Sequence, residues 1–179
     1  MEPETEESRR TARIAAVREH VRLENLGDLQ GILATFGDTA GYDDEAWDEH
    51  HVGREGVRGY YERLIEALPD LHIEIKREHA TAEGVVLEVI IRGTHLGEWR
   101  GLPPTGRRLE FPVCAIYTFD GEGKLAGERA YYDRASVLRQ VGLFHEPETL
   151  LGRVSTPITH PVTIARALGR NVLGRRRRH

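Results

Sequence analysis

At Pro69 the hydrophobic period of this chain changes from that of a helix to that of a strand, and this constrains the fold more than any other feature. Before it, Gly53 to Asp70 carries Val57, Tyr60 or Tyr61, Leu64, Ile65 and Leu68 on one stripe of a helix that Pro69 stops. After it, apolar residues alternate. His72-Ile-Glu-Ile-Lys-Arg-Glu-His is one such run, and Gly84 to Gly93 places Val85, Leu87, Val89 and Ile91 on one face. Arg108 to Phe119 places Phe111, Val113, Ala115, Tyr117 and Phe119 together. Asp120-Gly-Glu-Gly then reads as a hairpin turn, with Lys124 to Arg134 as the returning strand. Four long consecutive strands after a helical half read as α+β, with helices packed on one face of a curved, mainly antiparallel sheet. Pro112 inside the third strand implies an edge or a bulge there.

The N-terminal half supplies the covering helices. Ser8 is a suitable cap for a helix with apolar positions at Ile14, Val17, Val21, Leu26 and Leu29, which Gly27 interrupts. A short second helix follows from Asp28 to Phe36. Gly37 to Asp44 then reads as a short strand, and Ala46 to Val52 as another strand or an irregular loop. Val137 to Gly142 forms a short closing helix. A further amphipathic helix is expected in the tail, with Ile158, Val162, Ala165, Leu168 and Val172 on its apolar side and Thr163, Arg166 and Arg170 on its polar side. This gives an acidic leader (1–8), one folded domain (9–144) and a basic, partly helical extension (145–179).

Charge follows the same division. Residues 145–179 hold seven Arg and two Glu, a net +5, so a whole-chain charge of −4 leaves −9 on the rest. The tail therefore has an acidic partner available in its own body or elsewhere. Its Arg run lacks interleaved aromatics, so nucleic acid is not an expected partner. A single cysteine, Cys114, excludes an intrachain disulfide and fits a reducing compartment. In its strand Cys114 reads as a small buried thiol, with a nucleophile as the alternative. No apolar run approaches the length of a membrane span, and the acidic N-terminus lacks the apolar core of a signal peptide, which points to the cytoplasm.

Candidate chemistry rests on few residues. Asp133 closes the last long strand in Arg129-Ala-Tyr-Tyr-Asp-Arg, where strand parity puts Arg129, Tyr131 and Asp133 on one face. If that face lines a cavity, Asp133 is a general base among aromatic walls; otherwise it caps the following helix. His95, at the start of the loop Leu96 to Gly106, is either a proton carrier at a cavity mouth or a turn histidine. His50 and His51 point to opposite faces of a strand, so at most one of them faces a cavity. No HxH, HExxH or CxxC spacing is present, so no metal is expected. Trp99, Leu102, Pro103 and Pro104 form a rigid apolar loop that either lids a ligand or packs beneath itself. No GxGxxG, Walker-type or GxSxG pattern occurs.

Gly53-Arg-Glu-Gly-Val, Ala67-Leu-Pro-Asp-Leu-His, Gly93-Thr-His-Leu-Gly-Glu-Trp-Arg-Gly-Leu-Pro-Pro-Thr-Gly-Arg, Asp120-Gly-Glu-Gly-Lys-Leu, Tyr132-Asp and Leu138-Arg-Gln-Val-Gly fall in one order. In that order the chain, over about residues 12 to 144, resembles the SnoaL-like ester cyclases of the nuclear-transport-factor-2-like superfamily. The resemblance implies a cone-shaped sheet wrapped by helices around a pocket. It further implies ring closure by intramolecular aldol condensation on a hydrophobic carbonyl compound, with no cofactor and no metal. By this resemblance Asp133 would be the acid/base, with His95 on the polar wall. Tyr42, His50, Trp99, Leu102, Tyr117, Phe119 and Tyr131 would contact a small hydrophobic ligand. The superfamily also implies a homodimer. Its members include epoxide hydrolases, ketosteroid-isomerase-like enzymes and binding modules, and a pocket filled by Tyr131, Tyr117 and Phe119 would favour the last.

Overall fold

The computed structural model describes residues 5–166. The chain divides into two compact units between Val141 and Gly142. The first contains α1 (Glu6–Asn25), α2 (Leu29–Thr35), β1 (Phe36–Asp44), β2 (Glu49–Val52), α3 (Gly53–Ala67), β3 (His72–Ala80), β4 (Gly84–Thr94), β5 (Arg108–Phe119), β6 (Leu125–Tyr132) and α4 (Arg134–Gln140). The strands form one open sheet in the order β2-β1-β6-β5-β4-β3. All neighbours are antiparallel except β1 and β6, which run parallel, so the sheet is mixed.

The local reasons are visible in the sequence. Thr5, rather than Ser8, caps α1: its hydroxyl accepts from the Ser8 N–H, and Glu6 and Glu7 occupy the positive end of the helix. Asp28 caps α2 by accepting from the Gly31 N–H. On β5, Leu109, Phe111, Val113, Ala115 and Tyr117 are buried in strict alternation, and β4 supplies Val85, Leu87 and Val89 to the same side. With Val17, Val21, Ile32, Leu33, Phe36, Val57 and Tyr61 from β1 and the helices, these make the core. Phe119, by contrast, is only partly buried, beneath the Arg13 guanidinium.

Two side-chain amides stand in for missing strands. On β3, Asn25 accepts from the Ile73 N–H at 2.6 Å and donates to the Ile73 carbonyl at 3.0 Å. On β5, Gln140 accepts from the Glu110 N–H at 2.7 Å and donates to its carbonyl at 3.0 Å. This explains Pro112. The pairing of β6 with β5 reaches only to Val113, and Pro112 shares strand parity with Glu110, so its absent N–H falls in the gap between β6 and Gln140. β5 is an interior strand for half its length and edge-like for the other half, with no bulge at Pro112.

The second unit contains α5 (Leu150–Thr159), which Thr149 caps through the Gly152 N–H. Ile158 and Val162 are exposed, as are Leu150, Leu151 and Val154. Leu168, Arg170 and Val172, expected on the same amphipathic helix, lie outside the described residues. No described helix is long and apolar enough to cross a membrane.

Candidate active site

The inner face of the sheet and helices α1 and α3 enclose a cavity of about 430 Å³. Its middle is apolar, with Leu64, Val89, Ile91, Leu109, Phe111 and Val113 among the walls, and it carries carboxylate-centred polar clusters. This separation follows from strand parity on β6 and from one face of α1.

On β6 the cavity-facing residues are Glu128, Ala130 and Tyr132. Arg129 and Tyr131 are exposed on the other face. The face that carries Arg129, Tyr131 and Asp133 therefore does not line the cavity, which corrects Tyr131 as a ligand contact and leaves Asp133 the capping alternative. The reason lies across the hairpin: Tyr117 pairs with Glu128, Ala115 with Ala130 and Val113 with Tyr132, and those β5 residues face inward. Asp133 sits beyond the strand, outside the cavity lining. Its carboxylate accepts from the Ala135 N–H at 2.9 Å as the N-cap of α4 and lies 3.5 Å from Arg139. Asp133→Ala is expected to lower stability by about 1 kcal/mol, the usual effect of losing a cap. Chemical denaturation measures this, and an unchanged midpoint would contradict the capping role.

The first cluster joins α1, α3, β5 and β6. His20 and Glu24 lie on the buried face of α1 with Val17 and Val21, at i, i+3, i+4 and i+7 spacing. The Tyr61 hydroxyl sits at the hub, 3.0 Å from His20 Nε2, 3.0 Å from Glu24 Oε1 and 2.8 Å from Glu128 Oε2. Tyr117 donates to Glu128 Oε1 at 3.1 Å. The Thr35 hydroxyl donates to the Ile32 carbonyl at 2.6 Å, which assigns His20 Nδ1, 2.8 Å away, as a donor to Thr35. Nε2 then faces the phenol and the carboxylates. His20, Glu24 and Glu128 bring three metal-ligand atoms within 4.8 Å of one another, but the Tyr61 oxygen bonds to all three and fills the space between them.

Protons, then, hold this cluster together. Tyr61 has one hydrogen and touches two carboxylates, so one of these contacts needs a protonated acid. Burial pushes the Glu24 carboxyl up to about 7, with the Glu128 charge adding and His20 opposing. His20 is also raised: burial alone would lower it, but Glu24 and Glu128 more than offset that. Glu24 Oε2 is buried and has no partner among the described residues.

Near neutrality the fold therefore binds more protons here than the unfolded chain does. Stability contributed by raised groups is present at low pH and lost as pH rises through the folded values. For Glu24 the window between pH 6.5 and 8.5 corresponds to about 1 kcal/mol. Thermal denaturation should show the transition falling across this window, with a shallower fall in Glu24→Gln. A transition that rises would contradict the assignment.

The second cluster joins the end of β1 to the long loop. Trp99 and Leu102 bridge each other around Arg100 and Gly101, which have φ of 54° and 77°. This is a two-residue turn of the primed type, unusual in placing Arg at a positive φ. The Arg100 side chain explains the exception. It donates to Asp44 Oδ2 at 2.8 Å, contacts Glu49, and lies over the Trp47 and Trp99 rings at 4.4 and 5.6 Å. Tyr132 also donates to Asp44 Oδ2, at 2.9 Å. Burial raises the Asp44 carboxyl against the opposing effects of Tyr132, Arg100 and the Ala46 backbone N–H. Tyr42 and Tyr60 line the same cavity; their rings stack at 3.8 Å and their hydroxyls are 2.9 Å apart.

Of the residues expected at a ligand, the cavity brings together Tyr42, Trp99 and Tyr117. His51 lines it, whereas His50 is exposed and bonded to Asp43 at 2.9 Å. Tyr131, Phe119 and Leu102 stand outside its lining, so of the three aromatics that could fill it only Tyr117 is at the wall. His95 is buried in the loop, also outside the lining. Its Nδ1 is 3.0 Å from the Thr105 hydroxyl, Nε2 has no partner among the described residues, and burial lowers its pKa. The surrounding Gly-Thr-His-Leu-Gly motif seals the end of α3. Leu96 and Gly97 N–H groups donate to the Ala67 carbonyl, Asp70 accepts from both the Thr94 N–H and hydroxyl, and a Cβ at Gly97 would lie 2.0 Å from the Glu66 oxygen.

Fold and cavity together define a nuclear-transport-factor-2-like protein with an internal acid-lined site. The SnoaL-like polyketide cyclase family model matches residues 14–141, and the chain belongs to that family. AclR of Streptomyces galilaeus, described as a candidate hydroxylase, is 27% identical with a TM-score of 0.65, covering 74% of this chain and 97% of its own. A candidate SnoaL-like polyketide cyclase from Jannaschia sp. CCS1 is 19% identical with a TM-score of 0.65, covering 75% and 94%. SalBIII, an epoxide hydrolase/cyclase-like enzyme of pyran ring formation in salinomycin, is 23% identical with a TM-score of 0.61, covering 69% and 92%.

Proposed function

We propose that this chain is an acid/base enzyme that forms an enolate from a hydrophobic carbonyl compound and directs it to ring closure. The observation that carries this reading is Glu24: a cavity-lining carboxyl raised to about 7, whose Oε2 is buried with no partner among the described residues. A base is most effective when its pKa lies near the working pH. Glu24 takes the proton from a carbon beside a carbonyl. The apolar walls hold the chain folded so that the enolate carbon reaches a second carbonyl, and positioning supplies much of the rate. His20, Tyr61, Glu128 and Tyr117 hold Glu24 in place and keep the cluster's protons available. A direct test follows the α-proton signal of an aryl ketone ester in deuterated buffer by NMR. Enzyme-dependent loss of that signal is expected, and exchange no faster than in buffer alone would overturn the reading.

One observation favours a second reading. Arg100 bridges two cavity carboxylates, Asp44 and Glu49. A carboxylate–Arg–carboxylate array suits attack of an oxygen nucleophile on an epoxide, the chemistry for which SalBIII is named. Turnover of terpenoid or polyether epoxides, lost in Asp44→Asn, would select it. Turnover surviving in that variant would remove it.

A further inference from the structure

The tyrosine pair on the cavity wall has a proton to spare. Tyr42 and Tyr60 are buried, line the cavity, and share one hydrogen bond of 2.9 Å between their hydroxyls. Two phenols carry two protons, and a single bond between them uses one. Whichever ring donates, the second proton has no acceptor among the described residues. The other phenols of the cavity are committed: Tyr117 and Tyr61 to carboxylates of the first cluster, Tyr132 to Asp44. A buried hydroxyl proton left unmet costs free energy, so on the cavity wall this donor is met by a water that a ligand's oxygen can replace. Stacking at 3.8 Å fixes both rings, and the internal bond polarises the outer hydroxyl. Both phenols stay protonated at any physiological pH, because burial raises them well above the ordinary tyrosine value.

We propose that the Tyr42–Tyr60 pair is the subsite that receives the substrate's carbonyl oxygen. The inference rests on the carbonyl reading above and deepens it. Proton transfer from the α-carbon to Glu24 leaves the electron pair of the broken C–H bond in a new C=C bond, and the carbonyl π pair on oxygen. The oxygen becomes an oxyanion, and the free phenolic proton meets it. Because that bond strengthens as charge develops, the pair favours the enolate over the ketone. Six carboxylates line the cavity (Glu24, Asp44, Glu49, Glu66, Glu98 and Glu128) against Arg63 and Arg100, and Arg100 is already paired. The ligand class this surrounding fits is an uncharged oxo compound and not a free carboxylate.

The test uses 2-acetonaphthone labelled with ¹³C at its carbonyl, bound to the full chain and observed by infrared spectroscopy. In the wild type the carbonyl band is expected below its position in an apolar solvent. In Tyr42→Phe/Tyr60→Phe it should return toward that position, with Kd rising about threefold to tenfold, the effect of one hydrogen bond. Tyr42→Phe alone removes the hydroxyl that accepts from Tyr60 and so carries the spare proton, without opening space, and serves as the milder variant if the double one folds poorly. Glu24→Gln should leave the band shifted while abolishing α-proton exchange. An unshifted band in the wild type, failure of the ketone to bind, or a shift that survives the tyrosine variants and is lost in Arg100→Lys would each overturn the proposal. A tyrosine-dependent shift with no exchange would keep the subsite and remove the enolate reading. Exchange that needs Glu24 with a tyrosine-independent band would do the reverse.

Discussion

Glu24→Gln is expected to slow α-proton exchange and any ring closure that follows it by about 10²–10⁴-fold, the range for removal of a positioned acid/base group. The substitution is nearly isosteric. Its amide can still meet the Tyr61 hydroxyl, now 3.0 Å from Oε1, so the packing of α1 against α3 is preserved. The rate change then reports chemistry and not collapse of the site. In the wild type the exchange rate should rise as pH passes through about 7, as the carboxyl gives up its proton. The variant should lose that inflection. A residual rate within threefold of wild type, or an inflection that persists, would assign the base elsewhere, with the cavity carboxyl of Asp44 next in line.

Arg100→Ala is expected to produce the largest loss of stability, about 2–4 kcal/mol, or about 5–15 °C in the thermal midpoint. Removing the guanidinium leaves Asp44, whose side chain is only 1% exposed, without its cation. The full range for breaking a buried pair is discounted here because the Arg100 side chain is 17% exposed. The same change removes the group spanning the Trp47 and Trp99 rings. These are the only two tryptophans in the chain, so tryptophan fluorescence, excited selectively over tyrosine, reads this corner of the molecule. Arg100→Lys should recover only part of the loss, since an ammonium cannot reach both carboxylates in a fork. A midpoint within 2 °C of wild type in the alanine variant would show that Asp44 finds other compensation.

The architecture was legible because its signals are strong. Pro69 separates a 3.6-residue stripe from four alternating runs, and Asp120 to Gly123 fixes the hairpin between β5 and β6. The site was less so. The two faces of β6 carry Arg129 and Tyr131 on one side and Glu128, Ala130 and Tyr132 on the other, so neither is plainly apolar and parity alone does not choose between them. The deciding signal lay one strand back: β5 has an unambiguous inner face, and counting across the hairpin from Tyr117 leads to Glu128. On α1, attention to apolar positions passed over His20 and Glu24, which complete the i, i+3, i+4, i+7 stripe begun by Val17 and Val21. Nothing in the sequence marks Asp44, because its partner Arg100 is 56 residues away. The Gly-Thr-His motif, prominent in the sequence, serves chiefly to close α3.

The amides of Asn25 and Gln140 have a consequence for how this molecule behaves among its own copies. A strand edge with free N–H and C=O groups is an invitation to any extended segment in solution, and concentrated protein supplies many. At Ile73 and at Glu110 both groups are already engaged by a side chain. An arriving segment there meets an amide in place of an open ladder, and beside Glu110 it also meets a proline with no hydrogen to offer. Each amide thus occupies one position of an open ladder, on the outer strand β3 and on the uncovered half of β5, and leaves an arriving segment no backbone partner there.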